Sequence, residues 1–257
     1  MYDVVALGEL LIDFTTQATD PDGYPTMTAH PGGAPANFLA AIAKFGGKAA
    51  LLGKVGTDTF GKLLTDTLRK AGIETKGLVA SDEVFTTLAF VTLDENGDRE
   101  FAFARKPGAD TQLRFDELNL SIIDEARVFH FGTLSLTDEP ARSTTYRTVK
   151  YAKAHGKLIT FDPNLRKPLW RDLGDAKEQM LWGLDHADVV KISDEEVEFL
   201  FGLDAQDGAQ YILDHFPVKL VFVTCGADGC WFQSRSASGH EDSLKNIKVV
   251  DLSLIHI

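Results

Sequence analysis

The chain has 257 residues, 44% hydrophobic and 25% charged, which is ordinary globular composition, enough for one large α/β domain or two small ones. Its net charge of -12 repels phosphate backbones and anionic lipid surfaces, and no local basic cluster offsets it, so neither a nucleic acid nor a membrane is expected as a partner. Cys225 and Cys230 lack the second pair or histidine cluster of a zinc site and read as buried thiols of a reducing cytosol.

The first residues offer neither the basic flank nor the unbroken apolar core of a signal peptide, and a cytoplasmic protein is expected. Residues 3–8, DVVALG, read as a buried strand that GELLIDF continues as far as Asp13. A Pro/Gly-rich stretch from Asp20 to Pro35 follows, and from Ala36 apolar residues at helical spacing run to Gly46 and Gly47. AALLGKVG is a strand, and Asp58 caps a helix whose apolar stripe is Phe60, Leu63, Leu64 and Leu68.

Between Val84 and Arg105 two strands flank a turn at 95–98, an antiparallel hairpin inserted in an α/β alternation and a candidate lid. The alternation then resumes: strand ARVFHFG, a helix over about 139–155, strand KLITFD, a helix around 177–186, strand DVVKI and helix SDEEVEFLF. A helix ending at His215 and strands KLVFVT and CWFQS complete it, with 202–208 as a plain loop. Strand and helix in turn imply a mainly parallel sheet flanked by helices on both faces.

Within this frame, PGGAPANF brings Gly32 and Gly33 to the start of a helix, where bare backbone N–H groups can hold hydroxyl or anionic groups; a turn that merely opens a helix looks the same. Asp13 and Asn37 nearby add the paired acceptors and donors that a polyol needs. Residues 56–63, GTDTFGKL, mimic a phosphate loop but place Leu63 where a Mg²⁺-binding hydroxyl belongs, so that reading is set aside.

Arg105 ends the hairpin either as a cation that closes over a ligand or as a surface arginine of a ribbon. FDPNLR delivers Asp162, Asn164 and Arg166 to the carboxyl edge of the sheet, where open α/β sheets bind ligands. In KISDEE, Ser193 and Glu196 form a helix cap or, alternatively, Glu196 orders the water shell of Mg²⁺. Thr224, Gly226 and Gly229 make a turn that either cradles phosphates or simply joins two strands.

In this order, GELLIDF, PGGAPANF, GKVGTDTFG, REFAFARKPGAD, FHFGTLSL, FDPNLR, KISDEE and VTCGADG resemble the ribokinase/PfkB carbohydrate kinases, with wording most similar to fructokinases. The resemblance spans nearly the whole chain. It implies a ribokinase-like α/β domain over 1–257 with a small β-sheet lid drawn from about 10–30 and 74–106. It also implies ATP and Mg as cofactors, fructose or a similar sugar as acceptor, and a homodimer paired through the lid. Carried over by motif, Asp13, Gly33 and Asn37 bind sugar hydroxyls and Arg105 reaches the sugar from the lid. Lys191 and Glu196 lie near the phosphates and Mg²⁺, with Ser193 standing where many members have Asn. Thr224, Gly226 and Gly229 belong to the nucleotide pocket. Ala104 occupies a place where an aromatic residue often precedes the lid arginine.

Family members continue from V-V-D into T-T-G-A-G-D, which carries the anion hole and the base for the attacking hydroxyl. Here Val249, Val250 and Asp251 are followed by LSLIHI. That apolar tail, 252–257, is expected to be non-native, the domain incomplete, and this polypeptide inactive or nearly so. Two alternatives remain beside the fructokinase reading: a family kinase for ribose, 2-keto-3-deoxygluconate or a nucleoside, and a non-catalytic sugar-binding protein. An NAD-type oxidoreductase is disfavoured because no G-x-G-x-x-G follows the first strand.

Overall fold

Successive residues of β1 (Tyr2–Leu7) enter two different cores, Val5 and Leu7 one, Val4 and Ala6 the other. β4 (Ala49–Gly56) divides in the same way, with Ala50 and Leu52 against Ala49 and Leu51. Strands buried on both faces are the signature of a sheet between two helical layers, and the computed structural model, which describes residues 1–93 and 99–245, has that architecture.

β2 (Leu11–Thr19) and β3 (Pro25–Gly32) precede α1 (Ala34–Lys44). After β4 come α2 (Thr59–Lys70), β5 (Ile73–Glu74), β6 (Leu78–Ser81), β7 (Leu88–Leu93) and β8 (Arg99–Ala104). The chain continues through α3 (Ser121–Asp124), β9 (Ala126–Gly132), α4 (Ala141–Ala154), β10 (Leu158–Asp162) and α5 (Leu173–His186). β11 (Val189–Ser193), α6 (Asp194–Phe201), α7 (Ala205–His215), β12 (Leu220–Thr224), β13 (Cys230–Ser234) and β14 (Ser238–Glu241) complete the described residues.

The large sheet runs β14-β13-β12-β11-β10-β9-β1-β4-β5, with β6 also paired to β4. It is parallel except at β12-β13-β14. One face carries α1 and α2 through Leu39, Leu64 and Leu68; the other carries α4 to α7 through Val149, Met180, Val197 and Ile212. A smaller sheet has the order β3-β2-β7-β8, with β2 and β7 parallel at its centre. No helix among the described residues is long and apolar enough to cross a membrane.

Several expectations need correction. GELLIDF does not extend β1: the chain leaves the large sheet at Gly8, and Leu11 starts a strand of the smaller one. Part of the Pro/Gly-rich stretch is β3, held by pairing with β2. Of the 74–106 segment, β5 and β6 stay in the large sheet, and entry into the smaller sheet begins at Leu88. Leu63 is 42% exposed, because the buried stripe of α2 turns through Gly61, Leu64 and Leu68. The loop at 202–208 is shorter than expected, since Asp204 accepts the Asp207 amide and starts α7 at Ala205. Cys225 and Cys230 are free and half-buried rather than buried, because the β12–β13 turn lies at the sheet rim. The expected hairpin turn at 95–98 and the tail at 252–257 lie outside the described residues.

Candidate active site

The chain crossing from β1 to β2 runs directly against the start of α1. Gly33 sits at φ 116°, and a Cβ there would collide with the Glu9 carbonyl, so only glycine permits this approach. Pro35 in the first turn lacks an N–H that would have had no helical partner. The Ala34 N–H is taken by Glu9 Oε1 at 2.9 Å, so the helix N-terminus already holds a carboxylate from its own chain. Burial pushes the Glu9 carboxyl up to about 7, against the N–H groups that stabilise its anion.

Asp13 stands on β2 opposite His30 of β3, and its carboxylate lies where a Cβ on Gly32 would have to go. Asn37 is one turn into α1, with its N–H on the Gly33 carbonyl at 3.0 Å. Asp13, Gly32, Gly33 and Asn37 thus lie around one helix start and two paired strands of the smaller sheet.

The ends of β9 and β10 approach the same helix start. Glu9, Ala34, His130, Thr133, Asp162 and Asn164 are among the residues lining a narrow cavity of about 10 Å³, room for about one water. His130 is buried, lies 4.3 Å from the Phe38 ring and hydrogen-bonds Thr160 through Nδ1 at 2.9 Å. Burial, and then the Lys191 ammonium, hold its imidazole neutral with a pKa of about 3. Asn164 adopts φ 47°, a left-handed conformation that asparagine tolerates better than most residues.

Asp162 is bracketed by the Lys191 ammonium, 3.4 Å from both carboxylate oxygens. Burial raises its carboxyl to about 6, with Lys191 opposing and Glu196 reinforcing. Arg166 is exposed, donates to the neighbouring Leu165 carbonyl at 3.4 Å, and is not among the residues lining the cavity.

Arg105 is not the surface arginine that one of its two readings expected. Only 4% exposed, it donates from Nε to Asp110 at 2.9 Å, from Nη1 to Thr137 Oγ1 and from Nη2 to the Leu134 carbonyl, both at 2.8 Å. Burial opposes its charge, but Asp110 and the other nearby carboxylates outweigh this and raise its pKa. The guanidinium ties the end of β8 to the loop after β9, because a buried cation needs its donors satisfied close by.

On the other side of Asp162, Ser193 caps α6 and its own N–H goes to Glu196 Oε2 at 2.9 Å, a reciprocal capping box. Glu196 Oε1 accepts the Leu165 N–H at 2.6 Å. Both carboxylate oxygens therefore carry a backbone hydrogen bond, which suits an outer-sphere role toward hydrated Mg²⁺ better than direct ligation. Among the described residues, no three His, Cys, Asp or Glu side chains gather into a metal site. Thr224 pairs with Ser193 across β11 and β12, and the turn after it places Gly226 at φ 53° and Gly229 at φ 97°. Lys191, Ser193 and Thr224 thus share the carboxyl edge of the large sheet with Asp162 and Asn164.

The sequence profile described as pfkB family carbohydrate kinase matches residues 1–253. The chain belongs to the pfkB family. It is 44% identical over 242 residues to "Probable fructokinase-4" of Arabidopsis thaliana, covering 93% of this chain and 74% of that protein. Among solved structures, fructokinase from Xylella fastidiosa superposes with a TM-score of 0.89 at 32% identity, over 99% of this chain and 79% of that one. A putative ribokinase II of E. coli in complex with ATP and Mg²⁺ gives 0.86 at 26% identity, over 97% and 80%. These likenesses make the protein a sugar kinase of ribokinase-like fold.

Three residues that line the cavity or hold Arg105 were not singled out by motif: Glu9, His130 and Asp110. Each was legible only as a polar residue inside an otherwise apolar or turn-forming run, in GELLIDF, FHFG and KPGAD.

Proposed function

We propose that the protein transfers the terminal phosphoryl group of Mg·ATP to a hydroxyl of fructose, giving fructose 6-phosphate. The observation that carries this reading is that the start of α1, the helix entered through Gly33, shares a cavity with Asp162 and Asn164, while Lys191 pairs with Asp162 and stands with Ser193 and Thr224 on β11 and β12. The fructokinase likeness of the relatives supports the choice of sugar.

Asp13 and Asn37 would take sugar hydroxyls as acceptor and donor, with Gly32 and Gly33 leaving room for the ring. Lys191 would meet phosphate oxygens, Thr224 and the turn through Gly226 and Gly229 would hold the nucleotide, and Glu196 would order metal-bound water. When bound, Mg·ATP supplies the phosphoryl group and the metal charge that offsets its oxygens. The smaller sheet would act as a lid that keeps water from competing with the sugar. Arg105 would serve it by fixing the end of β8, and Arg166 would join only if the sugar draws it in. A cytoplasmic location and a homodimer paired through the edge of the smaller sheet belong to the same reading.

The test is calorimetric titration of the polypeptide with fructose, ribose, 2-keto-3-deoxygluconate and a nucleoside, followed by a coupled ADP-release assay on the sugar that binds. Preferential fructose binding is expected. Preference for another sugar would replace fructose with it, and sugar uptake by a chain that binds no nucleotide would favour a sugar-binding protein.

A further inference from the structure

The turn after β10 is gripped from both sides. On one flank the Pro163 carbonyl accepts from both the amide and the hydroxyl of Thr133, in the loop after β9. On the other, the Leu165 N–H is held by Glu196 of α6 at 2.6 Å, and Glu196 is only 7% exposed. Between the two grips stands Asn164, at φ 47°, lining the cavity beside Glu9 and His130. A left-handed asparagine holds its side chain in one direction only while the flanking peptides are fixed.

We propose that Glu196 is a positioning residue for the sugar side of the site: it fixes the turn at 163–165 so that Asn164 is presented to the sugar before any nucleotide or metal is bound. The inference rests on the sugar-kinase reading but is separate from an outer-sphere metal role. The carboxylate suits the task because it must accept from two amides at once, Leu165 and Ser193. A glutamine in its place has a single acceptor oxygen and turns a donor toward one of those N–H groups.

The deciding measurement is fructose titration without nucleotide and with divalent metal chelated, on the wild-type chain, Glu196→Gln and Asp204→Ala. The last removes the cap of α7, in which Asp204 accepts the Asp207 amide, and controls for general loss of stability. Glu196→Gln is expected to weaken fructose binding about tenfold, the loss of one charge-assisted hydrogen bond, and to speed hydrogen exchange in the peptide covering 163–167. Asp204→Ala should do neither. Unchanged metal-free fructose affinity in Glu196→Gln, or an equal loss in Asp204→Ala, overturns the proposal. If the wild-type chain takes up no sugar at all, the sugar-kinase reading fails instead. The exchange measurement then decides the link by itself: unaltered exchange at 163–167 in Glu196→Gln refutes it.

Discussion

Asp58 and Thr86 are joined twice: one carboxylate oxygen of Asp58 accepts both the amide and the hydroxyl of Thr86, each at 2.9 Å. The other oxygen caps α2 through the Phe60 and Gly61 amides. One side chain therefore starts a helix and pins the approach to β7, the strand that pairs beside Asp13. Asp58→Ala should lose the cap and leave the Thr86 amide unpaired, a cost of about 2–4 kcal/mol in urea denaturation.

The charge state of Glu9 should contribute to the pH dependence of stability near neutrality, with Asp162 in the same sense and His130 in the opposite one. Its folded pKa of about 7 lies above the ordinary glutamate value of 4.5, so the folded chain binds more protons between those limits. Stability contributed by the protonated form is present below the unfolded value and lost as pH rises through the folded one, on the order of 3 kcal/mol across the window. Glu9→Gln keeps an acceptor for the Ala34 amide and removes the titration, so its unfolding free energy relative to the parent chain should rise as pH goes from about 5 to about 8.

Arg105 and Asp110 form a pair in which both side chains are about 2–3% exposed, at a closest distance of 2.7 Å. Arg105→Met leaves Asp110 buried without its cation, with Thr87 still donating to it, and should cost about 3–5 kcal/mol. Adding Asp110→Leu should recover part of that loss, because the stranded carboxylate goes with it. Chemical denaturation of the two variants gives the comparison.

At Asn164 backbone and side chain can be separated. Asn164→Gly accepts φ 47° without strain but offers no amide, whereas Asn164→Ala loses the amide and adds roughly 1 kcal/mol of backbone cost. Both should weaken fructose binding alike in calorimetry, and only the alanine variant should lower the melting temperature appreciably.

Much of the large sheet was legible because its signals are local. Asp58 before a helical period announces α2, and KLITFD reads as a strand with its polar end at Asp162. The failures are non-local. Nothing near Arg105 reveals that its partners are Asp110 five residues on and the Leu134 and Thr137 loop beyond. Nothing in GELLIDF says that Glu9 will meet an amide of the helix that starts at Ala34. Leu63 matched an apolar stripe because a single sequence does not tell which side of a wide stripe faces inward. Asp13 and Asn37 were recognisable as candidates from their motifs, but the grip of Glu196 on Leu165 joins two segments that each looked self-sufficient, a cap and a turn.

The central pairing of the smaller sheet sets an order of assembly. Ile12 lies beside Leu88 in parallel register, with α1, β4 and α2 intervening along the chain. Closing so large a loop costs entropy that a local hairpin escapes. The β2–β3 and β7–β8 pairings are local, so the pairing of β2 with β7 is the step expected to come later. Asp13 can meet His30 early, through the local β2–β3 pairing, but its place beside Ala89 belongs to the late, non-local part of folding.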